Sequence, residues 1–311
     1  MNSAGRVVLL GGNGMVGRNI LDHPLAGRWD FLYPTSQELN LSDFDRTLKY
    51  LSKVKPDYVI NAAGLVGGIK ANINHPVDFL INNLDIGRNL VLASRQAGIK
   101  KLINLGASCM YPRNAENPLM EDMLLQGALE PTNEGYALAK IMTARLCQYV
   151  SSEDSDYQYK TMIPCNIYGR FDKFDIDKSH LVPAIIQKLH YAIDNKSSSV
   201  EIWGDGEARR EFMYADDLAD AVIYSLMNFE TMPVLLNIGV GKDYSINEYY
   251  AIVAKVVGFN GNFVHNCEKP VGMLKKLISI KKQQVWGWKP KTCLKQGIDK
   301  TYNYYLKEFI D

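Results

Sequence analysis

Near its start the chain reads Arg6-Val7-Val8-Leu9-Leu10-Gly11-Gly12-Asn13-Gly14-Met15-Val16-Gly17, and this stretch decides the fold. The apolar run predicts a buried parallel strand. Three glycines then follow in the pattern G-x-x-G-x-x-G, in front of an amphipathic segment from Arg18 to Leu25. Such glycines let the backbone turn tightly and approach a pyrophosphate, and the start of a helix offers N–H groups to it. The stretch predicts a strand, a dinucleotide-binding loop and a helix, whereas a plain glycine-rich turn would not need this position after a strand.

Strand and helix patterns alternate through the first half of the chain. Short apolar runs predict strands at Asp57 to Asn61, Lys101 to Leu105 and Lys160 to Pro164. Longer amphipathic segments predict helices at Pro76 to Gln96 and Asn133 to Ser151. This βαβ succession predicts a Rossmann-type, doubly wound parallel sheet with right-handed crossovers.

From about Cys165 onward the alternation becomes less regular. Further helices are predicted near Val182 to Asp194, Asp216 to Met227, Ile246 to Val257 and Cys293 to Phe309, with a short strand at Val200 to Trp203. We therefore predict a dinucleotide-binding domain over residues 1–165 and a smaller C-terminal α/β domain over residues 166–311. The second domain would mainly bind substrate and would partly interleave with the first.

Composition places the chain among globular proteins. It has 311 residues, of which 47% are hydrophobic and 22% charged, and its formal net charge is +1. Because there is no basic block, nucleic-acid binding is not expected. No signal peptide or bilayer-spanning apolar run is recognised, so we expect a cytoplasmic protein without a membrane partner. The five cysteines form no C-x-x-C pair, which predicts reduced thiols and no zinc or other metal site.

A second motif pairs Tyr136 with Lys140, four residues apart in the predicted helix Asn133 to Ser151. That spacing places both side chains on one helix face. A phenol has a pKa of about 10, and a nearby ammonium favours the phenolate, so we expect Lys140 to make the Tyr136 hydroxyl a usable proton donor. The pair is common by chance, but here it follows a dinucleotide-binding loop.

The tip of the second predicted strand, Asp30 to Tyr33, helps to choose the cofactor. An Asp or Glu at this tip would bind the adenosine ribose and repel a 2′-phosphate. The tip reads Pro34-Thr35-Ser36-Gln37, and its first carboxylate, Glu38, comes slightly later. Thr35 and Ser36 can donate hydrogen bonds to a phosphate, so the sequence favours NADP(H), although no arginine stands at the tip.

With these pieces assembled, the chain resembles the extended short-chain dehydrogenase/reductases that act on nucleotide sugars, and within them the GDP-L-fucose synthase branch. The resemblance extends over essentially the whole chain. Its motifs are Gly11 to Gly17, Ala62-Ala63-Gly64-Leu65-Val66-Gly67-Gly68-Ile69, Ser108-Cys109-Met110-Tyr111-Pro112, Glu130 to Lys140, Pro164-Cys165-Asn166-Ile167-Tyr168-Gly169, Ser179-His180-Leu181-Val182-Pro183, Trp203-Gly204-Asp205-Gly206, Arg210-Glu211-Phe212 and Asp216-Asp217.

The resemblance implies an NADPH-dependent enzyme that reduces the C4 keto group of a GDP-4-keto-6-deoxy sugar, with 3,5-epimerisation. It makes Tyr136 the proton donor and Lys140 the residue that holds the nicotinamide ribose. Cys109 and His180 become the acid–base pair of the epimerisation, since a thiol and an imidazole titrate near neutral pH. Taken alone, Cys109 would be a small buried side chain and His180 a helix cap.

Further roles come from the resemblance alone. The implied cofactor-binding residues are Gly11, Gly12, Asn13, Gly14, Met15, Val16, Gly17, Ser36, Leu41, Ala62, Ala63, Gly64, Leu105, Ala107, Lys140, Pro164, Asn166, Ile167 and His180. The implied substrate-binding residues are Asn133, Asn166, Lys188, Trp203, Arg210 and Ser279. An arginine fork suits a diphosphate, whereas Lys188 stands where the family often has arginine. The alternatives are a surface salt bridge for Arg210 and a turn or strand-end role for the asparagines.

Besides Lys188, the chain departs from the branch at three positions. Ala107 stands where the branch usually has Ser or Thr, so carbonyl polarisation would fall to Tyr136, to Ser108 or to water. Losing one such donor typically costs about 10²–10³ in rate. Val271 and Ser279 replace carboxylates of the family. These changes leave the identity of the sugar open more than the type of reaction.

Three other functions remain open. A reductase without epimerase activity could act on a GDP-6-deoxy-4-keto-heptose. An NAD-retaining nucleotide-sugar epimerase or dehydratase is disfavoured because the segment at Ser108-Cys109 lacks the Thr-Asp-Glu triplet of the dehydratases. A non-catalytic NADPH-binding regulator is supported only by Ala107. By resemblance, we expect a homodimer formed through the helices Pro76 to Gln96 and Asn133 to Ser151.

Overall fold

The computed structural model describes residues 3–175, 179–269 and 272–310, and Val271 lies outside these ranges. The strands are β1 (Arg6–Leu10), β2 (Asp30–Leu32), β3 (Tyr58–Asn61), β4 (Lys101–Leu105), β5 (Gln158–Pro164), β6 (Asn166–Tyr168), β7 (Ser199–Trp203), β8 (Arg209–Arg210), β9 (Phe212–Tyr214), β10 (Leu235–Ile238), β11 (Tyr244–Ser245), β12 (Asn262–Asn266) and β13 (Lys275–Lys276). The helices are α1 (Met15–Leu21), α2 (Phe44–Val54), α3 (Ile69–Asn74), α4 (Pro76–Gln96), α5 (Glu134–Glu153), α6 (Leu181–Asp194), α7 (Ala215–Met227), α8 (Ile246–Val257), α9 (Lys281–Trp286) and α10 (Leu294–Phe309).

The central sheet has the strand order β10-β5-β4-β3-β1-β2, and its neighbouring strands are parallel. Val7 and Leu9 point into one apolar core and Val8 and Leu10 into another, so helices cover both faces. Fully apolar strands are what a sheet buried on both sides requires. The predicted doubly wound Rossmann-type sheet is confirmed.

The position of the cofactor loop follows from the strand order. β1 lies between β2 and β3, so the chain leaves β1 in one direction and later continues on its other side. Loops that leave such a switch point at the carboxyl ends of the strands diverge and open a crevice. The glycine-rich loop after β1 and the loop after β3 therefore border one cleft.

Some elements differ from the sequence prediction. Helix α1 spans Met15–Leu21 and not Arg18 to Leu25, because Gly14 already takes the N-cap position and Asp22 ends the helix. Strand β10 joins the central sheet beside β5, although no strand was predicted there. Because β10 has only 4 residues, its local pattern is too short to mark it.

The rest of the chain builds smaller sheets, with the orders β11-β8-β13, β12-β7 and β6-β9. Helices α6, α8 and α10 bury a separate apolar core that includes Ile186, Leu189, Tyr249 and Ile298. The chain also returns to the first core, where Leu218 of α7 and Leu236 of β10 pack. The domain boundary at residue 165 stays a prediction.

The described part of the chain holds neither a membrane-spanning helix nor a cluster of metal ligands. None of its helices combines the length and apolar character needed to cross a membrane. Residues 3–175, 179–269 and 272–310 also contain no cluster of three or more His, Cys, Asp or Glu side chains that could hold a metal ion.

Candidate active site

A cavity of about 1220 Å³ lies at the carboxyl ends of the central strands. Its walls come from the segments that follow β1, β2, β3, β4 and β5, together with helices α3 and α4, the start of α5, His180 and Lys276. Pockets for one small ligand usually hold about 300–1,000 Å³. The volume of this cavity therefore suits two ligands side by side, such as a dinucleotide and a substrate.

The glycine-rich loop forms one end of the cavity, and its packing demands glycine at two positions. Gly11 has φ +82°, and a Cβ added there would lie 2.6 Å from the carbonyl oxygen of Ala62. A Cβ added to Gly17 would overlap with the carbonyl oxygen of Gly11. The loop is thus folded tightly on itself and on β3, with Gly14 at the N-cap of α1. This is the cradle that a pyrophosphate needs.

We expect Gly17→Ala to lower the free energy of unfolding by about 1–3 kcal/mol, because overpacking a tight contact moves the backbone. NADPH binding should weaken with it, since the displaced loop is the cradle. The control is Gly27→Ala, where an added Cβ meets no described atom within 4 Å. Urea unfolding and cofactor fluorescence titration measure both effects. Equal stability and NADPH affinity in the two variants would contradict this account of the loop.

The segment after β2 lines the cavity near the glycine loop. The Thr35 backbone N–H donates to a Glu38 carboxylate oxygen at 2.8 Å, and the Glu38 N–H donates to Thr35 Oγ1 at 3.3 Å. Ser36 is exposed beside this turn and lines the cavity. The turn leaves Ser36 accessible to the ribose end of a dinucleotide, and its role in cofactor choice stays a prediction.

Tyr136 and Lys140 are positioned by α5, one turn apart. Tyr136 lines the cavity and packs edge-on against Phe79, with the ring centroids 6.5 Å apart. Lys140 is buried, and its Nζ donates to the carbonyl oxygen of Leu105 at 3.1 Å. A Cβ added to Gly64, which lines the cavity, would lie 3.6 Å from Lys140 Nζ. The ammonium therefore stands directly behind the cavity wall.

The sequence predicts that Lys140 lowers the pKa of Tyr136, and the structure gives the opposite shift. The Lys140 Nζ lies 5.8 Å from the centroid of the Tyr136 ring. Burial raises the pKa of Tyr136, and the nearby Cys109 raises it further. Burial also lowers the pKa of Lys140 to about 8. Desolvation thus outweighs the attraction between the two groups, and at neutral pH Tyr136 carries the proton that a donor must have.

The turn after β4 brings further predicted residues to the cavity. Ala107, Ser108 and Cys109 line it, and both Ser108 and Cys109 are buried. Burial raises the pKa of the Cys109 thiol, while the charges of Lys276 and Lys140 lower it. Ala107 has no hydroxyl, so Ser108 is the hydroxyl side chain that this turn presents.

His180 is the N-cap of α6 and lines the same cavity. Desolvation in the cleft lowers the pKa of His180, and the charges of Lys276 and Lys173 lower it further. Asn133, the N-cap of α5, also lines the cavity. Its Oδ1 is buried and has no hydrogen-bond partner among the described residues, so it can accept a hydrogen bond from a ligand.

Most of the predicted site residues meet in this cavity. Those that line it are Gly11, Gly12, Asn13, Gly14, Met15, Val16, Ser36, Leu41, Ala62, Ala63, Gly64, Ala107, Ser108, Cys109, Asn133, Tyr136, Pro164, Asn166, Ile167 and His180. Gly17, Leu105 and Lys140 lie just behind the wall and support it through the contacts above. The geometry brings these residues together, and their individual roles stay predictions.

The other predicted substrate residues lie outside the lining of this cavity. Trp203 is half exposed at the end of β7, with the Lys269 Nζ 5.6 Å from its ring centroid. Lys188 donates from Nζ to the carbonyl oxygen of Glu201. Arg210 is partly buried at the end of β8, beside the cavity residue Lys276 on β13. A substrate that reaches all three would extend out of the cavity along β7 and β8.

Ser279 is placed where it cannot easily meet a substrate. It is 5% exposed, its N–H donates to the Leu119 carbonyl oxygen at 2.8 Å, and its own carbonyl accepts from Asn237 Nδ2. These contacts tie the segment after β13 to the loop at Leu119. The placement favours a structural role for Ser279 over the predicted substrate contact.

Sequence reasoning missed three cavity residues with titratable side chains, Asp78, Cys165 and Lys276, and Lys276 is the cationic one. Strand β13 has 2 residues and joins β8 only through long-range pairing. A signal was present in the sequence, since two lysines stand between the departures at Val271 and Ser279. Without the pairing of β13 with β8, the sequence does not indicate whether Lys275 or Lys276 points toward the site.

The fold and the cavity define a dinucleotide-dependent enzyme class in which a Tyr/Lys pair on one helix faces a second ligand. A family model described as the NAD dependent epimerase/dehydratase family matches residues 7–239. The chain belongs to this family.

Curated relatives align with this chain over nearly its full length. The chain is 52% identical to a GDP-L-colitose synthase of Yersinia pseudotuberculosis, over 97% of this chain and 98% of that protein. It is 45% identical to a GDP-L-fucose synthase of Azorhizobium caulinodans, over 98% of each. It also superposes with a TM-score of 0.88 on a GDP-mannoheptose C4 reductase of Campylobacter jejuni with NADP bound, at 33% identity, covering 98% of this chain and 99% of that one. The predicted resemblance to the GDP-L-fucose synthase branch is confirmed.

Proposed function

We propose that this protein is an NADPH-dependent oxidoreductase that reduces the C4 keto group of a GDP-4-keto-6-deoxy sugar and also epimerises C3 and C5. One observation carries the proposal: Tyr136, Cys109 and His180 line the same cavity as the dinucleotide-binding loop. The relatives named as GDP-L-fucose and GDP-L-colitose synthases, and the NADP-bound reductase, agree with a GDP-sugar substrate and with NADP(H).

In the reduction, the bound nicotinamide supplies the hydride for C4. Tyr136 donates its phenolic proton to the oxygen that becomes an alkoxide. The raised pKa of Tyr136 keeps this proton in place until the charge develops. Lys140, whose Nζ donates to the Leu105 carbonyl oxygen, would hold the nicotinamide ribose and would offset negative charge on the phenol oxygen.

In the epimerisation, the keto group acidifies the neighbouring C–H bonds. Cys109 takes a proton in its thiolate form, which burial disfavours and the charges of Lys276 and Lys140 favour. The electron pair of the C–H bond passes to the keto oxygen, and an enolate forms. Protonated His180 then returns a proton to the opposite face of that carbon. Proton exchange with solvent restores both groups. Ser108 and Tyr136 are the hydroxyl donors available to the keto oxygen, because Ala107 provides none.

The remaining residues hold the nucleotide. Arg210 would bind the diphosphate, whose oxygens match a guanidinium fork. Trp203, half exposed at the end of β7, would contact the nucleotide part, and the orphaned Oδ1 of Asn133 would accept from a sugar hydroxyl. Ser36 would donate to the 2′-phosphate of NADP(H).

A second function is a reductase without epimerase activity that acts on a GDP-heptose. Two observations favour it: Ala107 leaves room beside the reacting sugar, and a GDP-mannoheptose C4 reductase superposes closely. In that case, Cys109 and His180 would shape the pocket and would not transfer protons.

The test is a product assay with NADPH in D₂O, using GDP-4-keto-6-deoxymannose and a 4-keto-heptose analogue. We expect NADPH oxidation with the hexose and, by NMR, deuterium at C3 and C5 of its product. Turnover without deuterium would support the second function. If NADPH is not oxidised with either sugar, both proposed functions are refuted. NADH run in parallel checks the cofactor, and a clear preference for NADH would refute the role of Ser36.

We also propose that the protein is a cytoplasmic homodimer. Helices α4 and α5 expose apolar side chains at Val77, Ile81, Leu138 and Met142. A twofold pairing of these two helices would cover the same face of each copy. All five cysteines are free thiols, which fits a reducing compartment.

Met142→Glu should split this dimer, because pairing would bury a charge; we expect roughly 10²-fold weaker association. Met142 is 56% exposed, and the control is Val285→Glu on α9, where the valine is 91% exposed. Light scattering after size exclusion reads the mass of each variant. A wild-type monomer, or an unchanged dimer in the Met142 variant, would rule out this interface.

A further inference from the structure

Lys276 reaches the cavity from β13, the strand paired with β8. In this register Lys276 lies beside Arg210, and its side chain lines the cavity together with Cys109 and His180. The preceding residue, Lys275, points elsewhere, since its Nζ lies 3.6 Å from Oδ2 of the buried Asp243, and neither residue lines the cavity. Two adjacent lysines thus have opposite surroundings, and only one belongs to the site.

Several elements place charged or titratable groups around Lys276. They are Cys109 after β4, Glu130 before α5, Cys165 after β5, His180 before α6 and Arg210 on β8. Burial lowers the pKa of Lys276, and Arg210 lowers it further, whereas Cys109, Cys165 and Glu130 raise it. The negative form of Cys109 is therefore a favourable neighbour for this ammonium.

The same charge acts on both candidate acid–base groups of the epimerisation. Burial raises the pKa of Cys109, and two charged side chains lower it: Lys276 has the larger effect and Lys140 the smaller. On His180, Lys276 and Lys173 add to desolvation in lowering the pKa. A lower pKa gives Cys109 more thiolate, which accepts a proton. It also makes protonated His180 a stronger acid, which returns one.

We propose that Lys276 is a positioning residue for the epimerisation: from β13 it adds a positive charge to the cavity that Cys109 and His180 also line, and this charge assists the proton transfers of both groups. The proposal rests on the proposed function, because it gives these two side chains their task. It requires no contact between Lys276 and the reacting carbon.

The first test needs no sugar. The rate of Cys109 alkylation by iodoacetamide is followed from pH 6 to 11 by peptide mass spectrometry. In Lys276→Met we expect the pKa of Cys109 to rise by about 1 unit, as removal of a near charge does, so alkylation below that pKa slows about tenfold. Lys276→Arg should restore the wild-type profile. Lys275→Met, which loses an ion pair outside the cavity, should leave the profile unchanged.

A second readout follows His180 by NMR of its imidazole. Its pKa should rise in Lys276→Met as well, because the same positive charge is removed. A merely structural role would not raise both pKa values and restore both with arginine. Unchanged pKa values of Cys109 and His180 in a folded Lys276→Met that still binds NADPH would overturn the proposal; Lys276→Gln serves if the Met variant does not fold.

Deuterium exchange at C3 and C5 separates this proposal from the proposed function. In Lys276→Met, the acidic limb of the pH profile of the exchange rate should move to higher pH by the same amount as the pKa of Cys109. If the pKa of Cys109 rises but this limb stays, the proposed role of Lys276 in epimerisation is wrong. If the wild type exchanges no deuterium at all, the epimerase part of the proposed function fails, whatever Lys276 does.

Discussion

Tyr136→Phe is expected to lower kcat for the reduction by about 10²–10⁴-fold, the usual contribution of a positioned acid or base. The change removes only the phenol oxygen, so the edge-on contact with Phe79 and the support of α5 remain. NADPH affinity should therefore stay within about threefold of wild type, a change of less than about 1 kcal/mol. Initial rates at saturating 4-keto sugar and a fluorescence titration of NADPH measure the two quantities.

The matched control for this variant is Tyr191→Phe. Tyr191 lies on α6, its side chain is 64% exposed, and it does not line the cavity. Its loss of a hydroxyl should leave turnover and NADPH affinity unchanged. A kcat in Tyr136→Phe within threefold of wild type would remove Tyr136 from the role of proton donor and reopen the possibility of a non-catalytic NADPH-binding protein.

Cys109→Ser should lower the rate of deuterium exchange at C3 and C5 by about 10²–10⁴-fold. Serine keeps the size of the side chain, but its hydroxyl does not ionise near neutral pH, so the base is lost. The cavity should still bind NADPH, because the glycine loop and Lys140 are untouched. NMR of the sugar incubated with enzyme in D₂O gives the exchange rate.

Cys293→Ser, a change at an exposed thiol, is the control and should exchange at the wild-type rate. If Cys109→Ser exchanges as fast as the control, Cys109 is not the base. The protein would then fit the second proposed function, a reductase without epimerase activity, provided that turnover with the heptose is found.

Local signals in the sequence predicted much of the fold. The bounds of β1, β4, α4 and α8 agree residue by residue, because the two strands are short apolar runs and the two helices have a helical pattern of apolar residues. The glycine loop predicted the cleft, because its glycine spacing between a strand and a helix is itself a local signal. Strands β10 and β13 were missed, since two to four residues carry no period and their partners lie far away in the chain.

The site was predictable as a set of residues but less so as an electrostatic environment. Motifs brought Tyr136, Cys109 and His180 to attention, and they do share one cavity. The predicted direction of the Tyr136 pKa shift was wrong, because burial depends on packing that the motif does not describe. Lys276 was missed for the related reason that only sheet pairing with β8 brings it to Cys109.

The measurement that tests the central claim most directly follows a hydrogen atom. The enzyme is incubated with GDP-4-keto-6-deoxymannose and NADPH carrying deuterium at both C4 positions of the nicotinamide, and the product is examined by NMR and mass spectrometry. We predict one deuterium at C4 of the sugar, in a product whose formation Tyr136→Phe suppresses. Deuterium that stays on the nicotinamide while the 4-keto sugar is returned unreduced would contradict the account.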